Sequence, residues 1–447
     1  MMIKRSLGLA ALLAAGVALS GCSHFHNPFS GGNAQNKYHG KGERIPIIAF
    51  DQSLKVSDTL KGQDFYLPPP AAQASWPVPG GTLDQPIENV EAGKDFVVSW
   101  KAKIGAGSER KTYITAPPVA ADGKVFVMDG SARVSAYDMK SGRELWRTDL
   151  AQRSKRDKEG FGGGVAYADG HVYVGSGYRF VAALDATSGK QLWRTATDAP
   201  VHAAPTVSAG RVIVESVDDN LMTFDAQTGV AGWTYQALNE PARILAATSP
   251  AISGDAVVAS FASGELVSLQ AANGNSLWNL VLSKSNRNSA LSEIRDIPGR
   301  PVIYRGDVFA VSHSGVFVDV ELRTGTQRWE LPVTSVSTPW PVGDVVYVTD
   351  TAGEVLCASR DSGQIYWIVD LNKGVKKKKD RGLWSGPILA NNRIVVVSTK
   401  GEARALNAKT GAMEKNLKIG SPAMLNPIAV GGDLYVVSQA GELIAIR

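Results

Sequence analysis

Asp218 and Asp219, adjacent in "VESVDDNLMTFD", are a carboxylate pair of the kind that can share acid and base roles or ligate a cation. They fall between two β-branched runs. There, short acidic side chains commonly bond the backbone N–H groups of a hairpin turn, and a turn is the expected role. "GFGGGV" (160–165) does not match G-x-G-x-x-G and precedes a strand, so it reads as close backbone packing, not a phosphate cradle. The six histidines, at 24, 26, 39, 171, 202 and 313, lack the spacing of a metal pair on one helix face. G-x-S-x-G, H-E-x-x-H and Walker patterns are absent. The sequence therefore points away from catalysis and away from a bound metal or cofactor.

Cys22 carries the clearest chemistry. Lys4 and Arg5 precede the apolar run "LGLAALLAAGVAL" (7–19), shorter than the ~20 residues needed to span a membrane, so residues 1–21 read as a signal peptide. The run ends in "LSGC" (19–22), which resembles a lipobox; that resemblance implies an acylated Cys22 at the mature N-terminus, and Ser23 after it implies sorting to the outer membrane. Cys357 is the other cysteine; with Cys22 acylated no intrachain disulfide can form, and Cys357 is expected as a small buried hydrophobe. Lys plus Arg minus Asp plus Glu is 47 − 42 = +5, or 45 − 42 = +3 after removal of Lys4 and Arg5, a mild balance that argues against a nucleic-acid partner. The run Lys376–Lys379 within "KGVKKKKDR" reads as a solvated loop.

Residues 22–95 are rich in Gly, Pro, Asn and Gln and include "PPPAAQASWPVPGG" (70 to 81 with its leading prolines at 68 and 69), which reads as a lipidated tether that ends against a folded domain. The stretch 44–56 within it is apolar enough to dock. From residue 96 to 447 the pattern is strand after strand, as in "KVFVMD", "HVYVGS", "RVIVES" and "RIVVVST", each run preceded by a turn signal. A phrase recurs: "YDMKSGRELW", "LDATSGKQLW", "FDAQTGVAGW" and looser copies. Its Trp positions, 100, 146, 193, 233, 278, 329 and 367, with Lys415 at the eighth, are 38–51 residues apart. That period implies an all-β, eight-bladed β-propeller of four-stranded blades. The last unit supplies three strands before the chain stops, and "DFVVSWKAKI" (95–104) is expected to complete it, pairing an N-terminal strand with the C-terminal blade. In the phrase, the acid should cap the turn, Gly should supply positive φ, and Trp should fill the wedge between blades.

These units resemble the propeller repeat of pyrroloquinoline-quinone proteins. Two periplasmic families carry it: the quinone-dependent dehydrogenases, and the BamB family of lipoproteins in the outer-membrane β-barrel assembly machinery. The dehydrogenases have an adjacent Cys-Cys pair and a calcium site; this sequence has no Cys-Cys. The resemblance to the BamB family covers lipobox, tether, repeats and closure. It implies a non-enzymatic scaffold, lipid-anchored on the periplasmic face of the outer membrane, that binds the POTRA domains of BamA and the rest of that complex and assists nascent outer-membrane proteins. A PQQ-type dehydrogenase, or a scaffold for another envelope partner, are the alternatives. In that family a Leu-x-Leu-Arg loop and an Asp-x-Asp loop make the contact. The first falls at "PARILAATSP" (241–250), with Ile244 on a Leu, Leu245 where the Arg would stand and Arg243 just before; the second falls at "EIRDIPGRP", with Asp296 on the first Asp and Pro298 replacing the second. The partner surface implied is Arg243, Ile244 and Leu245 with Leu291, Glu293, Ile294, Arg295 and Asp296. In it the apolar members bury and the exposed charges of Arg243 and Asp296 set register.

Overall fold

A computed structural model describes residues 54–84, 87–150, 160–244, 246, 248–283 and 294–447. Cys22, Leu245, Leu291, Glu293 and residues 44–53 lie outside the described residues. Eight four-stranded antiparallel sheets follow one another as blades of a propeller, as the repeat period implies. Seven are sequential, from blade 1 (119–149) through blade 7 (384–418). Blade 8 joins Ile428–Val430, Asp433–Val437 and Glu442–Ile446 to Val98–Lys103, which pairs antiparallel with the last strand from Val98↔Ile446 to Lys103↔Glu442. The expected N-terminal closure is thus formed. It removes the exposed edge that an open three-stranded blade would present.

The repeated phrase builds the joints between blades. Asp138 Oδ1 accepts the Ser141 N–H at 2.8 Å, and Asp185 and Asp225 do the same for Ser188 and Thr228, so the acid caps its turn. The glycine closing that turn has positive φ, as at Gly142 (69°) and Gly325 (72°). It also lies against the preceding blade's Trp: a Cβ on Gly142 would stand 2.5 Å from the Trp100 ring, and one on Gly325 2.7 Å from that of Trp278. The same indole donates to the carbonyl three residues before that glycine, Trp278 to Leu322 O at 2.6 Å and Trp367 to Ala408 O at 3.2 Å. Trp100, from the N-terminal strand, donates to Met139 O of blade 1 in this way and so completes the ring.

Lys415 stands at the Trp position of blade 7 for a geometric reason. Its neighbour, blade 8, draws its fourth strand from the N-terminal side and has no turn of this kind for an indole to cover. Cys357 is fully buried opposite Trp367, and burial holds its thiol well above the usual range. At "GFGGGV" the backbone is close-packed: a Cβ on Gly163 would stand 2.1 Å from Gly175 O.

Antiparallel alternation puts the first-to-second turns of all the blades, and the third-to-fourth turns of blades 1 to 7, on one face. The second-to-third turns and the blade-to-blade connections lie on the other. Residues 66–92 run across the first face, bonding the innermost strands near the axis. Trp76 exchanges two hydrogen bonds with Ala120 of blade 1, Ile252 of blade 4 donates to Leu83 O, Ile303 of blade 5 to Asp84 O, and Val90 donates to Leu389 O of blade 7. Trp76, 1% exposed, stacks on Trp340 with ring centroids 6.2 Å apart. Val90 and Ile87 join the same buried cluster as the strands of blades 7 and 8. The Pro-rich stretch is therefore part of the folded body.

Candidate functional site

The opposite face carries the sequence-derived candidates. Residues 237–250 connect blades 3 and 4, and residues 282–301 connect blades 4 and 5, so their described ends lie on the same face of neighbouring blades. They are bonded to each other: Asp296 Oδ2 accepts the Ile244 N–H at 2.5 Å. Ile244 and Ile294 are half-buried and Arg295 is exposed, which leaves these three facing solvent.

Arg243 and Asp296 differ from their expected roles. Asp296 is 5% exposed, and burial raises its carboxyl to about 6 despite the Ile244 N–H and the nearby His202 and Arg243 charges. Arg243 pairs with Asp219 at 3.1 Å, its side chain only 12% exposed. Both are turned into the molecule, where they fix the two connections instead of presenting charge. Ile297, beside Asp296, is fully buried in the core of blades 4 and 5.

Asp219 anchors this arrangement. It occupies the second-to-third turn of blade 3, the turn read from the sequence, and is fully buried there. It does more than turn the chain: Oδ2 accepts the Glu240 N–H at 2.9 Å and Oδ1 accepts the Ala262 N–H at 3.1 Å, which ties blade 4 and the connection to one carboxylate. Beside it, His202 Nε2 lies 3.0 Å from Glu215 Oε1, and its Nδ1 lies 3.3 Å from Ala246 O. Burial alone favours the neutral imidazole, but the Glu215 carboxylate outweighs it and raises the His202 pKa. His202 and Glu215 were not singled out from the sequence, and Asp219 was read only as a turn residue. The equivalent turn position is Gly264, Gly315, Gly353, Gly401 and Gly441 in blades 4 to 8 and Ala132 and Arg179 in blades 1 and 2, all with positive φ; Asp219, at 59°, differs from them in being a fully buried carboxylate there. A residue that tolerates that strain is usually held there by its contacts.

Two cavities open on this face around the axis, of about 310 and 200 Å³. Ile244 and Ala246 line both. Among the described residues no group of three or more His, Cys, Asp or Glu gathers as a metal cage.

A family model described as outer membrane protein assembly factor BamB matches residues 97–157 and 130–369, more than half of the chain. The chain belongs to the BamB family. The relative from Burkholderia pseudomallei, an outer membrane protein assembly factor BamB, is 26% identical over 364 residues, covering 81% of this chain and 91% of that protein. The crystal structure of BamB from Moraxella catarrhalis has a TM-score of 0.67 at 19% identity, covering 78% of this chain and 99% of that one. A europium-containing methanol dehydrogenase has the same TM-score at 14% identity, covering 81% and 89%. At such identities the likeness is one of fold. BamB-family propellers and quinoprotein dehydrogenases share the scaffold, and sequence similarity places this chain with the former.

Proposed function

We propose that this chain is a non-catalytic scaffold of outer-membrane protein assembly, anchored by lipid on Cys22 to the periplasmic face of the outer membrane. Its docking surface is built on the described parts of two successive connections, 237–244 and 294–301, and the partner is the POTRA region of BamA. The observation that carries the reading is the Ile244 N–H to Asp296 bond, which ties the described end of one connection to that of the next. A rigid ring that presents fixed loops loses little ordering entropy when it binds. In that patch Ile244, Ile294 and Arg295 make contact, and Arg243, Asp219 and Asp296 hold the backbone behind them.

The test is binding of Ile244→Asp and Arg295→Glu variants to purified POTRA domains, with circular dichroism and melting as folding controls. Each variant should lose roughly 2 kcal/mol of affinity with unchanged melting, because interfaces concentrate energy in few residues. Wild-type affinity in both folded variants would move the docking surface elsewhere on the ring.

A further inference from the structure

At the start of the innermost strand, blade after blade repeats a residue followed by proline: "APTVS", "SPAIS", "RPVIY", "TPWPV" and "NPIAV". The residue before proline surrounds the axis, and four of them, Pro117, Arg300, Thr338 and Asn426, line the larger cavity. Blades 3, 4, 6 and 7 place a small residue there: Ala204, Ser249, Thr338 and Gly386. Blade 5 places Arg300, which is 7% exposed. Its backbone N–H donates to Thr338 Oγ1, but among the described residues its guanidinium has no acceptor and no carboxylate partner, and Nε is buried without one. Burial, unopposed by any counter-charge, lowers its pKa to about 10. A desolvated, unpaired cation is costly to hold, and small residues suffice at this position in four other blades. His313 lines the same cavity, and its Nδ1 also lacks a partner.

The rest of the lining specifies what could pair with this cation. Ile114, Leu383, Trp384, Met424 and Leu425 give the cavity an apolar wall. Asp350 also lines it, with Oδ1 accepting the Glu354 N–H at 2.6 Å, so a doubly charged anion such as a phosphate monoester would meet a carboxylate as well as the arginine. A single planar charge suits the guanidinium fork best. The side-chain amides of Gln439 and Asn426 complete the lining; Asn426 Oδ1 accepts the Gly386 N–H at 3.1 Å, while its amide N–H₂ and the whole Gln439 amide are without partners among the described residues. Amide donors and acceptors match a peptide backbone and have no use for an acyl chain.

We propose that this axial pocket binds the free C-terminus of a polypeptide that ends in a large apolar residue. Arg300 takes the carboxylate, the apolar wall takes the terminal side chain, and Gln439 and Asn426 take the backbone. The pocket borders the loop patch, sharing Ile244 with it and taking Arg300 from the same connection, so peptide binding is measured on the protein alone, without POTRA domains. The test uses the full chain and a fluorescent hexapeptide ending in Phe, as the free acid and as the C-terminal amide, read by anisotropy. A hydrogen-bonded ion pair at a desolvated arginine should favour the acid by about tenfold or more. Arg300→Gln should bring that ratio to about one, and Arg300→Lys should leave it intermediate because the fork is lost. Equal binding of acid and amide by the unaltered protein would overturn the proposal without recourse to any variant. So would a preference that survives in folded Arg300→Gln, or capture of laurate with no binding of the peptide acid, which would make the pocket a lipid site.

Discussion

Asp319 lies in the third strand of blade 5 opposite Trp329, fully buried, with neither carboxylate oxygen bonded. Burial, and then the Asp307 charge, push its pKa from 3.8 to about 7. The sign follows from the proton count. The unfolded chain releases this proton near pH 4, whereas the folded chain keeps it until about 7. Stability from this residue is therefore full at low pH, falls as pH rises through that window, and is flat above it. Asp319→Asn should match the unaltered protein near pH 4 and melt higher at pH 8, with a difference of at most about 4 kcal/mol. Equal melting curves across pH 4–8 would show that the carboxyl is not held neutral. Residues of this kind were not legible in advance, because nothing in "VFVDVEL" says which way Asp319 points. Arg300 and Asp219 share that difficulty. Their partners, or the lack of them, come from blades and connections distant in the chain, and only departure from the repeat marks them.

At the scale of elements the joint between blades was legible, because each half of it is a local phrase repeated around the ring. Asp caps, Gly turns and Trp covers within about ten residues, and repetition fixes which neighbour the Trp meets. The Trp278–Gly325 joint tests this account through its coupling. Trp278→Ala removes a side chain that is 9% exposed and should cost ~3–5 kcal/mol. Gly325→Ala places a methyl 2.7 Å from that ring at a φ of 72°, so it carries a steric cost beside the ~1–2 kcal/mol of a left-handed alanine. With the ring gone the steric part disappears. The double variant should then be less destabilised than the sum of the two singles, and urea melts of all four proteins measure the difference. Strict additivity would mean that Trp and Gly do not meet. The loop patch was half legible for the opposite reason. Its place between the middle blades could be read, but Arg243 turns inward to Asp219 of blade 3, and Asp296 turns inward to the Ile244 N–H near His202.

For the whole molecule, the question is what holds eight similar blades in a closed ring. Two segments before residue 105 contribute differently. Val98–Lys103 supplies the fourth strand of blade 8, and with Trp100 covering Gly142 it joins the last blade to the first. Residues 66–92 cross one face and bond the inner strands, with Trp76 and Val90 almost wholly buried. From composition alone this stretch resembles a tether that ends against a folded domain. Proline content and turn signals do not reveal that its partners are the otherwise unpaired inner edges of the blades. Deleting residues 22–94 should therefore lower the melting temperature by removing that buried surface, yet leave a soluble monomer, since every blade keeps four strands. Deleting residues 22–104 should go further, because it uncovers the long edge of Glu442–Ile446, and aggregation during the melt is expected. Size-exclusion chromatography and thermal scans of the two truncations decide it. If both stay monomeric and melt together, the N-terminal strand is not what closes the ring.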